Sequence, residues 1–136
     1  MKIPNWVNDL VKQVVEEYRK PFLPLIVWRR SHGKKEWNAK YSMYEKKEKR
    51  RTSSGVTYCK ENKIVITAGK LRKDQKLVLL HELAHWLLPD GEHHGKAFWD
   101  LAFELYRKYK VPMYYALNSE KNYRKGAALA YRRNRN

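Results

Sequence analysis

His81-Glu82-Leu83-Ala84-His85 sets two imidazoles four residues apart with a carboxylate beside the first. On a helix, positions four apart share a face, so both rings can reach one metal ion. Glu82 stands one step round from His81, outside that ligand pair but near enough to a metal-held water to act as its general base. Zinc bound this way acidifies water and polarises a carbonyl, and amide hydrolysis needs both. A catalytic zinc takes three protein ligands and keeps one position open. The third ligand must come from Asp90, Glu92, His93 or His94. His94 is preferred because Gly95 follows it and frees the backbone where the chain must come close. His93 is the second choice and Glu92 the third, and an unused histidine would be an exposed loop residue. The other reading of His81 and His85 is a pair of satisfied core histidines. Burying two histidines and a glutamate in an apolar helix is costly unless something pairs them, and that disfavours it.

The elements that must position these groups follow from hydrophobic spacing. The segment from about Arg72 to Leu88 is apolar nearly all round, which predicts a central, buried helix broken at Pro89-Asp90-Gly91. An amphipathic helix is expected at 5–20, with Asn5 as cap and Pro21 as stop. Leu25 to Trp28 reads as a strand, and the alternation of Trp37, Ala39, Tyr41 and Met43 as another. The stretch 45–54 reads as an exposed basic loop. Val56–Tyr58 and Ile64–Thr67 form a hairpin. Helices are predicted from about Gly95 to Lys110 and around 118–132, the latter fraying into a basic tail over 121–136. The expected fold is α+β: one domain over 1–136, an N-terminal helix, a small, mostly antiparallel sheet of three to four strands, the buried helix, and further helices after it.

Bulk composition narrows the class. The chain has 136 residues, 43% apolar, with 5 Trp and 10 Tyr, enough for one core. No apolar run reaches the roughly 20 residues of a membrane span, and the first residues do not read as a signal peptide. A monomeric, cytoplasmic or nucleoid-associated protein is expected. Cys59 is the only cysteine, so no internal disulfide or four-cysteine zinc ribbon can form. It is expected as a buried strand thiol, with masking of the metal as the alternative. The net charge of +16, from 30 basic residues against 14 acids, favours polyanions, nucleic acid above all. Basic residues gather at Lys46, Lys47, Lys49, Arg50 and Arg51, and again at Lys121, Arg124, Lys125, Arg132, Arg133 and Arg135. Tyr123 and Tyr131 interleave with the second group and are candidates for base stacking. A solvated terminus is the bland alternative.

The helix motif followed by His94-Gly95-Lys96-Ala97-Phe98-Trp99 resembles the SprT-like and YgjP-like zinc metallopeptidases, where a His-Gly-x-x-Phe pattern supplies the third ligand. The similarity runs from about Gly55, through a hairpin like that family's, to Leu105. It implies a zincin-like fold, a Zn2+ cofactor on His81, His85 and His94, and Glu82 as base. The short loop between His85 and His94 is closer to the YgjP-like spacing, and the zinc-ribbon appendage of many SprT proteins is absent. SprT–Spartan members degrade proteins crosslinked to DNA, so DNA-associated protein substrates are implied. Zincins of this build bind substrate along a sheet edge, expected here at Ile64–Thr67 or Val56–Tyr58. Tyr114 and Tyr115 are candidates to reach the oxyanion, though packing against the sheet is the favoured reading. Two other functions stay open: a peptidase with one protein partner and no nucleic-acid role, and a non-enzymatic basic module with structural zinc.

Overall fold

The computed structural model describes residues 2–30, 53–89, 94–120 and 124–134. The predicted strand at 37–43, the basic cluster at 46–51 and the candidate ligands Asp90, Glu92 and His93 lie outside the described residues.

The architecture is α+β, with five α-helices and a three-stranded mixed sheet among the described residues. In chain order the elements are α1 (Asn5–Glu17), β1 (Leu25–Arg30), β2 (Ser54–Tyr58), β3 (Lys63–Ala68), α2 (Arg72–Leu87), α3 (Lys96–Lys108), α4 (Met113–Ser119) and α5 (Arg124–Asn134). The heptad-like spacing of Val7, Leu10, Val11, Val14 and Val15 makes α1 amphipathic, and all five are buried. Pro4, not Asn5, occupies the cap position of α1, and no side chain caps it. The helix also stops before Pro21. Arg19 turns left-handed at φ 53°. Its N–H and that of Lys20 donate back to Glu16 and Val15, which closes the helix end.

β3 is the central strand. It pairs antiparallel with β2 through a tight connection, as the hairpin prediction requires. It pairs parallel with β1, from Leu25 opposite Lys63 to Arg30 opposite Ala68. The sheet is therefore mixed, where a mostly antiparallel one is expected from the sequence. The chain between β1 and β3 is long enough for the crossover that parallel pairing needs. β3 alternates, with Ile64, Ile66 and Ala68 turned into the core.

α2 crosses this inner face. Residues 77 to 84 are buried without a break, as continuous apolarity predicts. One buried cluster joins α1, β1, β3 and α2 to Phe98, Trp99, Ala102, Phe103, Leu105 and Tyr106 of α3 and to Ala116, Ala127 and Ala130. The last helix differs from prediction. The expected 118–132 helix is two helices, α4 and α5, and α5 is packed rather than frayed. Asn134 donates to the carbonyls of Ala130 and Asp100, and Arg133 pairs with Asp100.

β2 meets α2 at Gly55. A Cβ there would stand 2.7 Å from Glu82 Cγ, 3.0 Å from Ile66 Cδ1 and 3.1 Å from Val78 Cγ1. Only glycine permits this approach, which brings Thr57 against Glu82. Gly55→Ala is expected to lower unfolding stability by about 1–3 kcal/mol, the usual cost of overpacking. Urea denaturation read by tryptophan fluorescence checks it.

Candidate metal centre

The buried helix carries His81 and His85 on one face, and the start of α3 brings His94 to meet them. His94 Nε2 lies 3.2 Å from His81 Nε2 and 3.3 Å from His85 Nε2. All three ligand atoms fall within 4.8 Å of one another, and no other His, Cys, Asp or Glu joins the group among the described residues. Tetrahedral zinc with nitrogen ligands at about 2.0–2.1 Å would separate them by about 3.3–3.4 Å. The two separations from His94, 3.2 and 3.3 Å, fit that value. At most one proton can sit between any two such nitrogens, so three lone pairs facing one point need a cation more than they need each other.

His94 is held in an unusual backbone state. It lies at φ 52°, left-handed, a cost of about 1–2 kcal/mol for a residue with a Cβ. The strain falls on His94 itself. Gly95, expected to supply freedom, is extended at φ −83° and ψ −171° and caps α3. Aromatic plates then fix the rings. Phe98 stacks on His85 with centroids 4.1 Å apart, and Trp99 stacks on His94 at 5.5 Å. Trp99 is backed by α5 at Gly126, where a Cβ would sit 2.8 Å from Trp99 Cδ1.

Sequence reasoning missed the second layer. Glu120, 1% exposed, accepts from His81 Nδ1 at 3.3 Å and from the Tyr106 hydroxyl at 3.4 Å. Donating Nδ1–H to this carboxylate leaves Nε2 with its lone pair towards the convergence point, the arrangement metal-ligating histidines usually adopt. Thr57 Oγ1 stands 2.8 Å from Glu82 Oε1 and 3.0 Å from the Glu82 carbonyl. Glu82 is buried, and Thr57 holds its carboxylate. In β2, Gly55 and Thr57 are half-buried while Val56 and Tyr58 are exposed, the reverse of what apolar alternation in the sequence suggests, so no sequence signal marks Thr57. Nothing local marks Glu120.

Other expectations are settled differently. Tyr115 donates to Asp74 at 3.1 Å and is committed to α2, while Tyr114 is exposed. Of the two candidate edges, β3 is paired on both sides and β2 on one among the described residues. Cys59 is exposed in a 3-10 turn after β2, not buried in a strand, and its thiol faces the His85 carbonyl at 3.7 Å. The tight turn to β3 takes it out of the pleat that would have turned it inward. In the C-terminal basic group, Lys125 and Arg132 are exposed, Arg133 is paired with Asp100, and Lys121, Tyr123 and Arg135 lie outside the described residues. Tyr131 is half-buried with its ring edge-on to Phe103, so packing occupies the ring proposed for base stacking.

Neither a protein-family model, nor a curated protein, nor a solved structure matches this chain. No helix among the described residues is long and apolar enough to cross a membrane.

Glu120→Gln is expected to weaken metal binding about 10- to 100-fold, the usual cost of losing an outer carboxylate. Thr57→Val should leave that affinity unchanged, because Thr57 touches no histidine. Competition titration against a zinc chelator checks both.

Proposed function

We propose that the chain is a zinc-dependent metallopeptidase of the SprT-like or YgjP-like kind, acting on protein substrates near DNA. The observation that carries this reading is the convergence of three imidazole nitrogens beside a glutamate held by a hydroxyl. His81, His85 and His94 would hold the ion. Zinc in such a site supplies an acidified water and a polarised carbonyl.

The chain's own residues do the rest. Glu82 accepts the proton of the attacking water and passes it to the departing amine. The Thr57 hydroxyl keeps that carboxylate in one rotamer through both transfers. Glu120 fixes the His81 tautomer. β2, paired on one side only among the described residues, would offer its other edge to an extended peptide, which pairs through main-chain groups and needs few side-chain matches. Val56 and Tyr58, both exposed, would flank that peptide. The net charge of +16 supports action near nucleic acid.

Glu82→Gln is expected to retain zinc and lower hydrolysis of an unfolded protein substrate by about 10²–10⁴-fold, the range a general base contributes. Metal analysis and gel-based cleavage on one preparation check it. Unchanged cleavage would refute the role of Glu82.

A further inference from the structure

Five cations crowd the end of α2 remote from the histidines. Lys70, Arg72 and Lys73 are exposed around its first turn, with Lys76 one turn on. Lys110, exposed just past the end of α3, comes near enough to Lys76 for their like charges to interact, as does Arg72. Burial first, and then these two neighbours, lower the Lys76 pKa. The one acid in this stretch, Asp74, is fully buried and turned inward to the Ser53 N–H and the Tyr115 hydroxyl. Elsewhere Lys63, Lys96, Lys108 and Arg133 each have a carboxylate partner. Among the described residues none of these five has one.

Two of the cations are also ordered in advance. The Arg72 guanidinium lies 4.1 Å over the Trp6 ring, and Lys73 Nζ lies 4.5 Å over the Tyr115 ring. A side chain laid on an aromatic plate loses less entropy when its charge meets a partner. Cations early in a helix oppose its dipole, so helix electrostatics alone do not favour them there. Crowding, the lack of an acid partner among the described residues, and ordering together indicate a surface built for a polyanion.

We propose that this face docks the phosphate backbone of double-stranded DNA. The proposal rests on the reading above and supplies the nucleic-acid contact it invokes. A single strand fits less well, because it needs open aromatic faces for its bases. Here Trp6 and Tyr115 are half-buried and already covered by Arg72 and Lys73. From Lys76 to His81 the helix turns through roughly 140° and rises roughly 7.5 Å. Lys76 and His81 therefore project from different sides of α2.

The test measures binding of a labelled duplex of arbitrary sequence against salt, by fluorescence anisotropy, in zinc-loaded Glu82→Gln protein. Neutralising Arg72, Lys73 and Lys76 together to Gln should weaken binding and reduce the slope of log affinity on log salt by about 3, one per phosphate contact. A second variant, Lys73→Gln with Lys110→Gln, spares the Arg72–Trp6 stack and should reduce it by about 2. A control with the same charge change as the first, Lys12, Lys20 and Lys60 to Gln, all exposed and outside both basic groups, should leave the slope unchanged. Equal losses in control and test variants would overturn the proposal, as would a single strand competing as well as duplex per nucleotide. Hydrolysis of a DNA-free substrate is read separately, with Glu82 intact. If wild type cleaves and the first variant cleaves equally but no longer binds duplex, the proposal is supported. Absence of cleavage in wild type would count against the peptidase reading alone.

Discussion

Three imidazole nitrogens converging within 4.8 Å of one another, with the His94 nitrogen at hydrogen-bond distance from the other two, form the constraint on which this structure turns. His81 is buried and His85 and His94 half-buried, so withdrawing these rings from water is costly, and a single proton can bridge only two of them. A divalent cation satisfies all three at the observed spacing. Neighbouring features make sense as means of holding that convergence. His94 adopts a left-handed backbone, Phe98 and Trp99 face the rings, and Glu120 is buried behind His81.

The support extends outward in layers. Gly126 lets α5 close on Trp99, so the last helix contributes to the placement of His94. Gly55 lets β2 close on α2, so the hairpin contributes to the placement of Glu82. Asp74 ties the start of α2 to Ser53 before β2 and to Tyr115 in α4. α2 is thus anchored at its first turn by hydrogen bonds and along its length by burial. That rigidity is what a preorganised site requires.

Much of this was legible in the residues. Continuous apolarity identified α2 to within a residue at its end, and four-residue spacing put His81 and His85 on one face. The Pro89-Asp90-Gly91 break and the helix after it pointed to His94. Glu120 was not legible, because it reaches His81 across 39 residues, through a helix-to-helix register that no local pattern encodes. The parallel pairing of β1 escaped for the same reason: strand periodicity is identical for either direction. Cys59 and the C-terminal helices were misplaced where a tight turn, or a side chain drawn inward, overrode the apparent pattern.

The most direct test is X-ray absorption at the zinc edge on stoichiometrically loaded protein, combined with metal counting. The account predicts one ion per chain, with three imidazole nitrogens at about 2.0–2.1 Å and a light non-protein ligand in the remaining position. A chain that retains no ion after zinc supplementation, or a first shell with fewer than three imidazoles or closed by a fourth protein ligand, would contradict it.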